Sequence, residues 1–244
     1  MIKEALHYLV GLKPVQTFNV NGEEYSTEQL HRIPKVYDPS PLTEGIGIST
    51  LTGLVDYITN GVDNLLGTLV IHVKSPMKVL VYSELRADMK RNHYLECNAM
   101  TPNITFERFM DLEAFNIMMQ ACFLENADRT AVLRVVGNVK EDNVRTTGDN
   151  GVAQVVTAKA GVATVGDVVV PNPVTLCPFR TFPEVDQPES KFVFRMKEGP
   201  SAALFEADGG KWKIYAMQNI KGYLADALGN LTDAPGNFKV KIIS

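Results

Sequence analysis

Short segments in which apolar and polar residues alternate predict β-strands joined as hairpins. Residues 67–85, "GTLVIHVKSPMKVLVYSEL", contain two such runs on either side of the Ser-Pro pair at 75–76. That arrangement predicts a hairpin, and residues 93–100, "HYLECNAM", are expected to add a third antiparallel strand. Near the N-terminus, the Asn-Gly pair at 21–22 lies between two shorter runs. It predicts another hairpin, because Asn-Gly readily adopts the positive φ angles of a tight turn.

Other segments repeat apolar residues every three or four positions, which is typical of helices. One helix is predicted from residue 51 through the segment "LTGLVDYITNGVDNLL", with Ser49 or Thr50 as its N-cap. Residues 105–125 are apolar on nearly every helical face, so they predict a helix that is buried or bent near Asp111. A further helix is expected from residue 128 to about residue 137, where a glycine follows.

The last part of the chain predicts several strands and one closing helix. Residues 144–170 indicate strands joined by glycine-rich turns, and 190–197, "SKFVFRMK", alternate as in a half-buried strand. Residues 202–207 predict the next strand, and 236–243 a final one. Between them, residues 212–228 place their apolar side chains on one broad arc, as in an amphipathic helix packed on a core.

These elements together predict an α+β fold. Strand segments outnumber helices and occur as hairpins, so a mainly antiparallel sheet with several packed helices, including the amphipathic C-terminal helix, is favoured over a doubly wound sheet. Residues 31–47 concentrate prolines and glycines without periodicity and predict a connection or surface strap. The expected organisation is a helix, hairpin and proline-rich connection over residues 1–47, followed by a main α+β domain over residues 48–244.

Composition restricts the classes of function. The 244 residues carry a formal net charge of -4, so tight nonspecific DNA binding is disfavoured and nucleic-acid binding requires a local basic patch. Cys97, Cys122 and Cys177 lie far apart and form no CxxC motif, which argues against disulfides and zinc and favours a cytoplasmic location. The four histidines are equally scattered. We therefore expect no metal and no cofactor. We also expect no membrane segment and no secretory signal.

The segment before the closing helix, "FEADGGKW", suggests either a helix cap or a ligand site. Asp208 stands where a short carboxylate accepts hydrogen bonds from free backbone N–H groups, and Gly209 and Gly210 permit a sharp turn. The alternative is a phosphate or nucleotide site formed by these residues with Lys211. The segment lacks both the GxxxxGK[ST] and GxGxxG patterns, and an acidic cap repels an anion, so the structural role is favoured.

A second candidate site combines aromatic and basic residues in "CPFRTFPEVDQPESKFVFRM". Aromatic rings beside cations on a sheet stack bases and hold phosphates in proteins that bind single strands. The same alternation is typical of a strand whose Phe side chains face the core while Arg and Lys face water. The residues proposed for nucleic-acid binding are Phe179, Arg180, Phe182, Lys191 and Arg195.

Four stretches of the chain resemble the YfdQ-like proteins of phages and prophages. They are residues 32–58, 109–140, the hairpin at 146–156, and 174–196. The chain departs from the family pattern at residues 204–224. The family is uncharacterised, so the resemblance implies a phage-encoded accessory protein in the host cytoplasm and supplies no catalytic residues.

Three functions remain open from the sequence. The first is a non-enzymatic phage or prophage protein that forms a homo-oligomer and binds a host or phage macromolecule or a ligand, since catalytic motifs are missing and strand edges are available for pairing. The second is a single-stranded nucleic-acid-binding protein of phage replication or recombination. The third is an enzyme with an unusual site, in which Asp208, Glu206 and Lys211 are the first residues to test.

Overall fold

The computed structural model divides the chain into two compact units, residues 1–42 and 43–244. Ile2 and Lys3 are helical, and the rest of the predicted N-terminal helix lies outside the described residues. The structure describes residues 2–3, 16–26, 32–33, 42–63, 65, 67–138, 144–149, 154–160, 163–164, 168–197, 199, 201–229 and 238–244.

The first unit contains a three-stranded antiparallel sheet. Strand β1 (Thr17–Val20) pairs with β2 (Glu23–Ser26), which pairs with β3 (Arg32–Ile33). The turn between β1 and β2 is formed by Asn21 and Gly22, with φ angles of 54° and 83°. The hairpin predicted from this residue pair is therefore confirmed.

A five-stranded mixed sheet forms one half of the second unit. Its strands are β4 (Ile46–Ile48), β5 (Gly67–Ser75), β6 (Lys78–Ser83), β7 (His93–Asn98) and β16 (Phe238–Ile243), in the order β16-β5-β6-β7-β4. The predicted hairpin and third strand are confirmed as the antiparallel strands β5, β6 and β7. The two outer strands pair in parallel, β16 with β5 and β4 with β7. Strand β4 thus places residues 46–48 in the second unit.

Two helices, α1 (Leu51–Thr59) and α4 (Trp212–Leu228), share a core with this sheet. The Thr50 side chain caps α1 by accepting a hydrogen bond from the Gly53 N–H at 3.1 Å. Helix α1 ends at Thr59, earlier than the predicted segment, because Asn60 and Gly61 follow and Gly61 adopts a φ of 63°. The C-terminal helix predicted from residues 212–228 is confirmed in α4.

A four-stranded antiparallel sheet and two helices form the second core. The strands are β8 (Met110–Asp111), β13 (Val174–Leu176), β14 (Ser190–Lys197) and β15 (Ser201–Glu206), in the order β13-β14-β15-β8, and the helices are α2 (Leu112–Cys122) and α3 (Ala127–Asn138). Alternation in β14 is confirmed, because Phe192, Phe194 and Met196 are all buried against the helices.

Of the helix predicted over residues 105–125, buried or bent near Asp111, only Leu112–Cys122 is helical, and one face of it is buried. Helix α2 begins only after Asp111, whose carboxylate caps it by accepting from the Ala114 N–H at 2.8 Å. Its Ile117 side chain is exposed. The preceding apolar residues, such as Phe106, pack against the same core from a non-helical segment, so the apolar content of residues 105–111 did not reflect a helix.

The remaining described strands surround β10 (Gln154–Ala160), which pairs antiparallel with three neighbours. The neighbours are β9 (Val144–Asp149), β11 (Ala163–Thr164) and β12 (Val168–Val169). The predicted α+β fold is confirmed, with sheets that are mainly antiparallel and helices packed against them. In the part of the chain that the structure describes, every helix is too short or too polar to span a bilayer.

The segment from Phe179 to Glu189 links the two cores. It leaves the four-stranded sheet and buries Phe182 and Val185 among the apolar residues of the five-stranded sheet. The buried Gln187 side chain closes this loop, because its oxygen accepts from the Arg180 N–H and its nitrogen donates to the Phe182 carbonyl. Glu184 accepts from the Leu51 N–H at 2.8 Å and so contacts the start of α1.

Candidate ligand cleft at the start of the C-terminal helix

An open cleft of about 500 Å³ lies between the first residues of β14 and the start of α4. We call it the α4 cleft. It lies wholly within the second unit and combines two lysines, two aromatic rings and a buried serine. Its lining residues are Thr175, Pro188, Glu189, Ser190, Lys191, Asp208, Lys211, Trp212 and Tyr215.

Asp208 organises the turn that enters α4. Its Oδ1 accepts from the Gly210 N–H at 3.0 Å, and its Oδ2 accepts from the Ser190 hydroxyl at 2.8 Å. Gly209 and Gly210 adopt φ angles of 64° and 77°, which side chains with a Cβ rarely reach. Asp208 therefore shapes the turn through its hydrogen bond to Gly210, two residues later. The N-cap position of α4 is occupied by Lys211, whose side chain makes no capping hydrogen bond.

The backbone N–H groups of residues 210, 211, 213 and 214 at this helix start are already used. The Gly210 N–H bonds to Asp208, and the Lys211 N–H donates to the Asp208 carbonyl. The Lys213 and Ile214 N–H groups donate to the carbonyls of residues 210 and 211. An anion in the α4 cleft would thus be held by side chains, in contrast to the phosphate sites formed by free N–H groups at helix starts.

Arg180 is buried behind two lining residues of the cleft, Ser190 and Trp212, in a cluster of aromatic rings. Its guanidinium carbon lies 3.9 Å from the centre of the Trp212 ring and 5.5 Å from that of Phe192. Its Nη1 donates to Glu206 at 2.6 Å, and its Nη2 donates to the Ser190 hydroxyl. Ser190 in turn donates to Asp208, so one chain of hydrogen bonds joins the buried cation to the turn that begins α4.

The protonation states of this cluster are set by burial and by its charges. Burial lowers the pKa of Arg180 to about 10, although Glu206 and Asp208 oppose the shift, so the guanidinium is charged at neutral pH. Burial alone would raise the pKa of Asp208, but hydrogen bonds from Ser190 and Gly210 and the charge of Arg180 outweigh it and lower that pKa. Asp208 is therefore a carboxylate at neutral pH and a weak base.

The exposed walls of the cleft carry positive charge and an aromatic ring. The Lys191 and Lys211 side chains are exposed, and the Tyr215 side chain is 46% exposed. The Lys211 Nζ lies 5.9 Å from the centre of the Tyr215 ring. Glu189 is the exposed acidic residue on this rim. Trp212 is buried and forms the inner wall.

The structure separates the residues proposed from the aromatic and basic segment. Phe182 is fully buried in the core of the five-stranded sheet, and Arg180 is buried beneath Trp212. Phe179 is half-buried just before Arg180. Lys191 lines the α4 cleft, and Arg195 lies on the same outer face of β14. Of these five residues, only Lys191 joins Asp208 and Lys211 in the cleft.

Three residues of the cleft were missed from the sequence. Ser190 was interpreted only as the start of a strand and Trp212 only as an apolar position of a helix, and Tyr215 was given no role. A signal for Tyr215 exists, because at about 100° per residue this large aromatic residue falls on the polar side of the helix, between Gly222 and Asp226. No sequence pattern joins Ser190 to Asp208, since their hydrogen bond connects two different elements.

The cysteines and the potential metal ligands of the described residues do not form a second candidate site. The three cysteines are buried, and burial raises the pKa of each thiol, to about 12 for Cys97, so none is a thiolate at neutral pH. Within the described ranges, no group of three or more His, Cys, Asp or Glu side chains is arranged to hold a metal ion.

Comparison with known proteins provides no relative from which to transfer a function. No family model, curated protein or solved structure matches this chain. The resemblance to YfdQ-like proteins therefore stays a prediction from the sequence, and the case for a function rests on the geometry of the α4 cleft.

Proposed function

We propose that this protein is a non-enzymatic binding protein whose α4 cleft takes a small ligand with both an aromatic ring and a negative charge. The observation that carries the proposal is the convergence of Lys191, Lys211 and Tyr215 on one open cleft of about 500 Å³. This volume suits a small organic ligand. The exposed ring of Tyr215 supports the aromatic part of the ligand, and the two lysines support its negative charge.

A ring is favoured because the cleft offers an aromatic surface that is not covered. Tyr215 is nearly half exposed on the first turn of α4, beside the exposed Ile214. Trp212 closes the inner wall and is held by the guanidinium of Arg180. A planar ligand stacked on Tyr215 would bury apolar surface against a wall that is already ordered, so little conformational entropy would be lost.

A negative charge is favoured by the two lysines at the rim. Among the described residues, neither Lys191 nor Lys211 has a carboxylate within salt-bridge distance. Asp208, the acid closest to Lys211 in sequence, already accepts hydrogen bonds from Ser190 and Gly210. Its charge is also offset by the buried Arg180, so the exposed rim carries two lysines against one exposed carboxylate, Glu189.

Binding without catalysis is supported by the state of the polar groups. The Ser190 hydroxyl donates its proton to Asp208 and accepts from Arg180, so both its proton and a lone pair are engaged inside this cluster. Asp208 has a lowered pKa, whereas a general base works best with a pKa near the operating pH. Glu206, the third residue of the enzyme hypothesis, is paired with Arg180.

Titration of the intrinsic fluorescence tests the proposal, because Trp212 is the single tryptophan of the chain. Three probes separate the contributions: inorganic phosphate, adenosine, and adenosine 5′-monophosphate, each excited where the base does not absorb. We expect the monophosphate to change Trp212 emission at the lowest concentration, since it combines stacking and charge. Lys211→Ala should weaken its binding about tenfold, or about 1.4 kcal/mol.

Lys221→Ala is the matched control, because Lys221 is exposed on the same helix but lies far from the cleft. It should leave the titration unchanged. The proposal is contradicted if none of the three probes alters Trp212 emission up to millimolar concentration. It is also contradicted if the control variant and Lys211→Ala weaken binding equally.

The proposal also covers the cellular location and the oligomeric state of the protein. The protein would act in the cytoplasm of an infected cell as a phage or prophage accessory protein, and it would do so as a homo-oligomer. Support comes from sheet edges such as β13 and β8, which flank the four-stranded sheet. Light scattering on the purified protein should give a mass that is a multiple of the chain mass and stable in high salt. A monomer at micromolar concentration would contradict self-association.

A further inference from the structure

The outer face of β14 continues from the α4 cleft as a row of basic residues. Alternate residues of a strand share a face, so Lys191, Val193, Arg195 and Lys197 point away from the core that buries Phe192 and Phe194. We call this row the β14 outer face. Alternate residues lie about 7 Å apart, so the row extends about 20 Å from Lys191 to Lys197. Lys191 belongs to both the row and the cleft.

The positive charges of this row are not neutralised by nearby acids. In the described part of the chain, Lys191, Arg195 and Lys197 have no carboxylate within salt-bridge distance. Opposite Arg195 on β15 stands Ala203, and opposite Lys197 stands Ser201. Asp111 follows Ser201 in the same row on β8, but its carboxylate caps α2. Three cations against this one carboxylate leave an excess of positive charge along the row, although the whole chain is acidic.

Aromatic rings lie at the far end of the same face. Phe205, opposite Val193, is half-buried and packs edge-on against Phe109, with 6.0 Å between ring centres. Phe109 is 37% exposed, and the Lys197 Nζ lies 4.3 Å from the centre of its ring. With Tyr215 in the cleft, aromatic surface is thus available at both ends of the row of cations.

We propose that the β14 outer face and the α4 cleft form one binding track for single-stranded nucleic acid. The proposal rests on the proposed function, since one nucleotide would occupy the cleft with its base on Tyr215. Lys191, Arg195 and Lys197 contact phosphates along the strand, with Val193 in the gap between the first two, and the exposed side of Phe109 provides a second stacking surface. It replaces Phe179, which is half-buried, and Phe182, which is buried, as the aromatic part of the nucleic-acid site.

The chemistry of the track selects a single strand over other anionic polymers. Cations alone would bind any polyanion, but aromatic rings beside them gain energy only from unpaired bases with exposed faces. Double-stranded DNA offers a dense row of phosphates but no base faces, and the net charge of -4 opposes its nonspecific binding. An acidic peptide would satisfy the lysines without using Tyr215 or Phe109.

Fluorescence anisotropy with a 5′-labelled oligothymidylate of about twelve nucleotides tests the track. The affinity should exceed that of adenosine 5′-monophosphate and fall with salt, with a slope of about -0.7 per phosphate contact. Arg195→Ala should weaken binding about fivefold and make the salt slope shallower by about one unit. Phe109→Ala should weaken binding about tenfold and leave the salt slope unchanged, since it removes stacking and no charge.

Lys241→Ala is the control, because Lys241 is exposed on the edge strand of the other sheet. It should change neither affinity nor slope. Equal weakening by Lys241→Ala and Arg195→Ala would overturn the track in favour of diffuse charge attraction. Competition by polyglutamate as strong as that by unlabelled oligothymidylate would show that the face recognises charge alone, and it too would overturn the assignment.

The result also separates the track from the cleft. Adenosine 5′-monophosphate could change Trp212 emission while the oligothymidylate binds no more tightly than the monophosphate and Arg195→Ala leaves its affinity unchanged. In that case the track is wrong and the binding function of the cleft stands. If neither probe binds, both proposals fail. Tight oligonucleotide binding that is lost in both Lys211→Ala and Arg195→Ala supports the continuous track.

Discussion

Phe182→Ala is expected to lower the free energy of unfolding by about 4 kcal/mol, within the range of about 3–5 kcal/mol for a fully buried phenylalanine. The Phe182 ring has no exposed surface and packs in the core of the five-stranded sheet, although its chain segment comes from the four-stranded sheet. Its removal leaves a cavity at the point where the loop joins the two cores. Denaturant unfolding followed by circular dichroism measures the change.

Phe179→Ala provides the control for this substitution. Phe179 lies three residues earlier in the same segment and is only half-buried, so we expect a loss of about 1 kcal/mol. Phe182→Leu, which fills most of the cavity, should fall between the two. If Phe182→Ala changed the unfolding free energy by less than about 1 kcal/mol, the buried position of this ring would be contradicted. A surface role in stacking bases would then be favoured again.

Arg180→Ala is expected to destabilise the protein by about 3 kcal/mol. The substitution removes the guanidinium that lies 3.9 Å from the Trp212 ring centre and leaves Glu206 without its partner. The Ser190 hydroxyl loses a donor as well. The Glu206 side chain is 32% exposed, so water compensates for part of the lost charge pairing. The loss of unfolding free energy should therefore lie near the lower end of the range for breaking a buried ion pair.

Two measurements check this expectation independently. The unfolding free energy gives the destabilisation, and the emission of Trp212 in the folded protein should shift, because the cation on its ring is gone. Arg195→Ala is the comparison: Arg195 is half-exposed on β14 and should change the stability by no more than about 0.5 kcal/mol. Equal destabilisation by the two substitutions would contradict a special role for the buried cation.

The candidate site was predictable only where it is local in sequence. Asp208, Gly209 and Gly210 indicated a turn before a helix, and the structure shows positive φ angles at both glycines and a hydrogen bond from the Gly210 N–H to Asp208. The sequence left open whether Arg180 lies beside exposed aromatic rings or faces water on a strand whose phenylalanines face the core. Alternating apolar and polar residues predict which side chains face the core only within a regular strand. Arg180 lies outside a strand, in the loop that passes under Trp212.

Sequence periodicity by itself determined most helices and hairpins of this protein. The Asn21-Gly22 turn, the strands β5, β6 and β7, the buried face of β14 and helix α4 all follow from interactions between residues close in the chain. Such elements depend on backbone propensity and on one apolar face, and a linear pattern records both.

Only the tertiary structure decided which elements meet. The parallel pairing of β16 with β5 joins residues more than 160 positions apart, and the link from Arg180 through Ser190 to Asp208 joins three separate segments. Local pattern carries no information about such contacts, because they are selected by the packing of whole faces. The row from Lys197 to Lys191 was present in the sequence, but only the packing of α4 beside β14 leads that row into a cleft.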